Sequence, residues 1–287
     1  MTRGKPGFAW PGGARLAVAF NVMFEGWSEG KAPGIGPMGN PLQRPGVVDT
    51  QAISWARYAG TTGVWRLLEI LDRHGVPATV FASGVAAERY PEALRAALQA
   101  GHELAAHSYA QEIVPAYLDE SEERDNIAKS VAAIERASGT RPRGWVSPRG
   151  TPSPRTMSLL AQHGFTWTKD CFDSDLPYVV DVEGGPFVAI PLMMEVNDMP
   201  LAVRYGNAPR VYFETFRELF ERLYEAEPPP TFLDVTVHAH VFGRPLGGRI
   251  FDEVIRFCRG VPGLWHPTTS QVADIVLQAR AAARPPA

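Results

Sequence analysis

Short apolar runs recur along this chain with helical patterns between them, and most runs are followed by an ionisable or amide side chain. Residues 16–20 lead to Asn21 and Glu25, and residues 103–106 lead to His107. Residues 145–146 precede Arg149, and residues 165–168 precede Asp170 and Asp173. Residues 187–190 precede Glu195, Asn197 and Asp198, and residues 233–237 lead to His238 and His240. Strand–helix alternation favours a parallel sheet, in which every strand end faces the same way. Such groups then gather at the C-terminal mouth of a βα barrel, where loops carry the chemistry.

The pattern predicts strands over 16–22, 77–82, 103–106, 144–146, 165–168, 187–190 and 232–237. Helices are expected over 63–74, 91–100, 119–137, 153–163, 213–225, 250–259 and 270–283, with a short piece at 264–265. Val64, Leu67, Leu68 and Leu71 show the helical spacing, and His74-Gly75 ends it. The expectation is an α/β fold, a distorted (β/α) barrel of about seven parallel strands, in a single domain over 1–287. Residues 26–60 and 191–210 interrupt the rhythm. Both follow strands, and the first reads as a lid or subunit contact near the mouth.

A net charge of −3, with the basic residues scattered, gives no case for nucleic acid or an anionic membrane. The start, Met-Thr-Arg-Gly-Lys-Pro-Gly, lacks the apolar run of an export signal. No stretch reaches the roughly 18 apolar residues of a membrane span. The expected location is the cytoplasm, with Cys171 and Cys258 as free thiols. Cys171 follows a strand, and the small buried filler is the reading preferred over a nucleophile.

Imidazole titrates near neutrality, so His107 and His238 at strand ends suit proton transfer to and from an amide. His238 and His240, two apart on an extended run, point the same way. Glu25 reads equally as a base for water and as a solvated loop carboxylate. Asn21 suits a carbonyl oxygen as charge develops there, and Arg149 a carboxylate or ureide. Asp173 and Asp175 read as turn residues that orient Arg149 or His107. Trp27, Trp55, Trp145 and Tyr178 would line a pocket for a flat ring or simply fill the core. Glu195 and Asn197 have the right position after a strand, and Ser108 lacks the surroundings of a nucleophile elbow.

These residues, in this order, resemble the polysaccharide deacetylase (NodB-homology, carbohydrate esterase 4-like) superfamily. They are most similar to its branch of metal-independent allantoinases and cyclic imide hydrolases. The carrying motifs are Gly63-Val64-Trp65-Arg66-Leu67-Leu68, Gly101-His102-Glu103 leading to His107, and Gly144-Trp145 with Ser147-Pro148-Arg149. Asp173 to Tyr178, Asn197-Asp198, and His238 with Gly243-Arg244-Pro245 complete the set. Typical members carry Thr-Phe-Asp-Asp-Gly after the first strand, the first Asp a base and the second a metal ligand. The stretch matched to it here is Ala19-Phe20-Asn21-Val22. The typical paired histidines become His107-Ser108-Tyr109-Ala110-Gln111, so one imidazole is an amide. Zinc needs three good protein ligands, which Asn, Val, His and Gln do not supply.

The resemblance implies hydrolysis of a non-peptide C–N bond in a small cyclic or linear amide, with allantoin, hydantoins and cyclic imides as the substrate class. Glu25, His107 and His238 would be catalytic. Asn21, Trp145, Arg149, Asp173, Asp175, Tyr178, Glu195 and Asn197 would surround the substrate. No cofactor is expected; a zinc ion, if bound, would sit on Glu25, His107 and His238. A homo-oligomer, dimer or tetramer, is implied as well. The alternatives are a metal-dependent polysaccharide or peptidoglycan N-deacetylase, and a catalytically silent barrel that binds a small molecule.

Overall fold

The structure, a computed structural model, describes residues 7–33 and 48–283. Its strands are β1 (Leu16–Phe24), β2 (Thr79–Ala82), β3 (Glu103–Ala106), β4 (Gly144–Trp145), β5 (Trp167–Cys171), β6 (Tyr178–Val182), β7 (Gly185–Pro191), β8 (Thr231–His238) and β9 (Leu264–Trp265). The helices are α1 (Thr50–Tyr58), α2 (Val64–His74), α3 (Gly84–Arg89), α4 (Pro91–Gln99), α5 (Glu120–Ser138), α6 (Thr156–Gln162), α7 (Pro209–Glu221), α8 (Pro245–Arg259) and α9 (Thr269–Ala283). Every residue of β1 is buried, as befits an apolar strand covered on both faces. It pairs in parallel with β2, β8 and, at its foot, β9.

The strands form one curled sheet of nine in the order β6-β7-β5-β4-β3-β2-β1-β8, with β9 attached to β1. All pairings are parallel except β6 with β7. Among the described residues the end strands β6 and β8 do not pair, so the barrel is open. Among these residues no helix is long and apolar enough to cross a membrane.

Three local expectations are corrected. Among the described residues nine strands replace the seven: β9 joins the sheet, and β6 forms directly after residues that read as a turn. Val179, Val180 and Val182 supply its β character, and Gly184 and Gly185, at φ 114° and 122°, make the hairpin turn. The segment 26–60 is not one loop. Asp49 caps α1 by accepting the Ala52 amide at 2.9 Å, and a π-turn at Ala59–Gly63 carries the chain into α2. Its part 34–47 lies outside the described residues, and with it the lid or subunit contact. Finally, α3 starts at a Ser83 cap where no helix was expected.

Side chains alternate across β1. Leu16, Val18, Phe20, Val22 and Phe24 face outward and join the cluster under the helices. Ala17, Ala19 and Met23 face the barrel interior with Phe81, Val146, Trp167, Ile190 and Phe232. Small residues there leave room for α9, whose Val272, Ala273 and Val276 belong to the same inner cluster and plug the floor.

Above that floor lies a buried polar layer. Lys169 and Asp234, both fully buried, form an ion pair. Asn21 donates to Asp234 Oδ1 at 2.7 Å, and Thr236 donates to Oδ2 at 3.2 Å. Burial pulls the Lys169 pKa below its ordinary value, against the attraction of Asp234. Asn21 is thus a structural member of this layer rather than a substrate ligand. It is fully buried beneath Met23 and is absent from the cavity wall described below.

Breaking such a pair on one side leaves an uncompensated buried charge, which costs about 3–5 kcal/mol. Lys169→Met is therefore expected to destabilise the fold by that amount in chemical denaturation, and Lys169→Met with Asp234→Asn to recover most of it. A single variant within about 1 kcal/mol of wild type would contradict the pair's assignment.

Candidate active site

The register of β1 decides which residue reaches the mouth. Ending the strand at Val22 matches the family's two aspartates with Asn21 and Val22. β1 in fact runs to Phe24, so the polar group at its end, just before Gly26, is Glu25. The carboxylate is buried and surrounded by imidazoles. Its Oε1 lies 3.2 Å from His107 Nε2 and 3.6 Å from His238 Nε2, and its Oε2 lies 3.5 Å from His240 Nε2. Burial would raise its pKa, but the charge of His238, the hydrogen bond to His107 and the remaining imidazole charges bring it down to about 2.

Each imidazole is held differently. His107 follows β3 directly, and its Nδ1 lies 2.8 Å from the Val146 carbonyl oxygen, which makes Nδ1–H the donor and turns Nε2 toward Glu25. His238 ends β8, with Nδ1 2.6 Å from Asp198 Oδ1. Asp198 Oδ2 accepts the backbone amides of His238 at 2.8 Å and Phe242 at 3.1 Å, which locks the turn after β8. Burial works against a charge on His238, but Asp198 and Glu25 outweigh it and raise its pKa. His240 is fully buried between Trp55 and Trp27, with edge-on ring centroids at 4.5 and 5.5 Å. Among the described residues neither of its nitrogens has a hydrogen-bond partner, and burial lowers its pKa to about 4.

Glu25, His107 and His238 line a cavity of about 420 Å³. Its walls include Met23, Trp27, Gln111, Val146, Arg149, Leu192, Asn197, Met199 and Arg204. Asn197 Oδ1 accepts the Met199 amide at 3.0 Å, which leaves Nδ2 to donate. Among the described residues two non-glycine positions have left-handed backbones, Ser108 at φ 61° and Arg149 at φ 60°, and both follow strands of this mouth. Such conformations persist where their surroundings over-determine them, often at working sites. A neighbouring hollow of about 360 Å³ shares Glu25 and Trp27 but has no imidazole in its wall.

The remaining expected ligands lie elsewhere. Trp145 is core: it is fully buried, packs edge-on against Phe165 and donates to Ser147 Oγ at 3.0 Å. Asp173 is exposed and accepts from Tyr178 at 2.9 Å and from the Cys171 thiol, so it orients neither Arg149 nor His107. Asp175 and Glu195 line a separate hollow. Tyr178 starts β6 outside the cavity wall because its strand is an edge strand. Cys171 has its pKa raised by burial, which keeps it a thiol. Asp198, His240, Gln111 and Arg204 were not among the expected site residues. Asn197-Asp198 and the two-residue spacing of His238 and His240 were the signals for the first two; nothing local marks Arg204.

The family's usual metal does not fit these residues. Gln111 holds the place of the second imidazole, and its Nε2 donates at 2.9 Å to the His107 carbonyl oxygen, back into its own turn. Among the described residues no group of three or more His, Cys, Asp or Glu is arranged to hold a metal ion.

Comparison with known proteins agrees with this architecture. Residues 52–168 match the family model for polysaccharide deacetylase. A peptidoglycan deacetylase of Helicobacter pylori is 35% identical over 258 residues, which cover 79% of this chain and 87% of that one. A probable polysaccharide deacetylase of Pseudomonas aeruginosa PAO1 superposes with a TM-score of 0.84 at 30% identity, over 97% of this chain and 95% of that one. The allantoinase PuuE superposes with a TM-score of 0.84 at 29% identity, over 97% and 94%.

The neutral, caged His240 makes a testable demand on stability. Between its folded value of about 4 and the ordinary 6.5, the unfolded chain binds more protons, so stability falls as pH drops through that window. The Glu25 contribution is lost lower, from 4.5 down through about 2. Replacing His240 by Phe is expected to flatten the Tm profile between pH 6.5 and 4.5. His102, His163 and His266, also lowered by burial, leave a residual slope. An unchanged slope would show that His240 is not held neutral.

Proposed function

This chain belongs to the polysaccharide deacetylase family, and from that premise we propose that it hydrolyses the C–N bond of a small cyclic or linear amide, in the manner of an allantoinase or imidase and without the family's metal. One observation carries the reading: Glu25, His107 and an Asp198-paired His238 converge on a single cavity. At about 420 Å³ it suits a ring-sized ligand rather than a long polymer. The likeness to the allantoinase PuuE supports the same substrate class.

The side chains divide the work. Glu25 is an anion at neutral pH and receives the proton of the attacking water. Its low pKa makes it a weak base in isolation. Proton uptake by Glu25 is therefore coupled to proton release by His238, whose charge holds that pKa down. His238, pushed toward its charged form by Asp198, donates from Nε2 to the departing amide nitrogen. His107 fixes Glu25 through its Nε2. Asn197 Nδ2 is the donor available to a carbonyl oxygen as it gains charge. Water adds to the carbonyl, the C–N bond breaks, and the proton balance closes between Glu25 and His238.

A second reading, metal-dependent deacetylation of peptidoglycan, is favoured by the likeness to the Helicobacter pylori enzyme. One experiment separates the two: chelator-stripped, metal-analysed protein assayed on allantoin, hydantoins, cyclic imides, small N-acyl amides and acetylated glycan oligomers. Turnover of a small amide without metal is expected. Activity on glycan alone, and only after metal is restored, would overturn the proposal.

His238→Ala is expected to lower kcat at least about a hundredfold, and His107→Ala, which frees the Glu25 carboxylate, to lower it by less. Because His238 works as an acid with a raised pKa, activity should fall as pH rises above 6.5 and through that value. Asp198→Asn removes the main attraction that raises it, so the alkaline limb should move to lower pH. A limb that stays in place would assign the acid role to another group.

A further inference from the structure

We propose that the substrate carries a carboxylate, held by Arg149 and Arg204, while its scissile amide lies against Glu25 and His238. The inference rests on the amide-hydrolase reading and adds to it the charge of the substrate.

Both guanidinium side chains line the cavity. Several arginines elsewhere are tied down: Arg143 to Asp274, Arg66 to the Gly243 carbonyl, Arg210 to Glu253. Arg149 and Arg204 have neither an ion pair nor a side-chain hydrogen bond among the described residues, and both side chains are exposed to the opening. The carboxylates nearby cannot serve them. Glu25 is surrounded by three imidazoles, and Asp198, fully buried, is consumed by His238 and two backbone amides. The positive charge of the mouth is therefore left for a ligand to neutralise.

Their placement is built in rather than incidental. Arg149 sits at φ 60° in a tight turn closed by the Gly150 amide on the Ser147 carbonyl oxygen at 2.9 Å. Buried Asp170 anchors that turn, accepting the Ser147 amide at 2.7 Å and its hydroxyl at 2.6 Å. Arg204 ends a π-turn, Met199–Arg204, a form that recurs at functional sites. Its charge acts on His238 and opposes the raised pKa there, so the guanidinium lies within electrostatic reach of the reacting end. Met23, Val146, Leu192, Met199 and Val203 make the wall between apolar. An apolar wall strengthens a guanidinium–carboxylate contact, and the planar fork of each arginine matches a carboxylate in two hydrogen bonds.

The test compares hydantoin-5-acetate with its carboxamide, a neutral ligand of the same shape, at low and high salt. The expected result is a kcat/KM at least about tenfold higher for the acid, expressed mainly in KM and eroded by salt, since hydrogen bonds between charged groups are the strong ones. In R149M and in R204M the ratio should fall toward one; R204M, an exposed side chain, keeps the test decisive if R149M does not fold. A ratio near one in the wild type, or one that survives both variants, would overturn the proposal. If the wild type turns over neither compound, the hydrolase reading fails for this hydantoin pair, and the anion site is read by binding instead. Calorimetry with glutaramate against glutaramide then decides the anion site separately: tighter binding of the acid, lost in R204M, supports it, and equal affinities refute it.

Discussion

A carboxylate taken out of water must be matched by positive or polar partners, or it takes up a proton. Glu25 is that carboxylate here, and the mouth of the barrel is organised around it. Three strand ends contribute: β1 supplies the acid, β3 supplies His107, and β8 with the turn after it supplies His238 and His240. Only parallel strands of one sheet, hydrogen-bonded in register, bring three such ends together. Met23 pairs with His238 across β1 and β8, which puts Glu25 and its partners at the same height.

Around this centre the polar groups are layered by function. The imidazole nearest Asp198 is pushed toward the charged form, and the one between two tryptophans toward the neutral form. Identical side chains two residues apart are thus shifted in opposite directions, one by a carboxylate and the other by burial between aromatic rings. Backbone fit makes this possible. Gly63 and Gly243 both press against the Ala239 carbonyl, and a β-carbon at either position would collide with it. The turn carrying both histidines is therefore clamped between the start of α2 and the approach to α8. Beneath, the Lys169–Asp234 pair and Asn21 form a buried polar layer, so the cavity has a floor as well as walls.

Much of this was legible in the chain. Alternating apolar runs and helical patterns located most of the strands and helices, and ionisable groups after the runs pointed to His107, His238 and Arg149. The failures have specific causes. β1 extends two residues past Val22 because Met23 and Phe24 pair with β8 and β2, a contact that no local pattern encodes. That extension shifts the register, moves Asn21 into the core and brings Glu25 to the mouth. Turn-forming residues just before Tyr178 concealed an edge strand that exists only because β7 offers it a partner. Trp145 and Asn21 were residues of plausible chemistry whose side chains the sheet turns away from the cavity.

By itself, the amino-acid sequence determined the kind of fold and the chemical vocabulary of the site. Periodicity and burial preference are local properties, and they suffice to say that strands alternate with helices and that acids, imidazoles and guanidinium groups follow the strands. Which of those groups meet was decided only in three dimensions. Strand register, the two left-handed residues at the mouth and the close approach of two glycines to one carbonyl set those meetings. The protonation of each imidazole follows in turn, because a pKa depends on charges and water within a few ångströms, most of them contributed by residues far away along the chain.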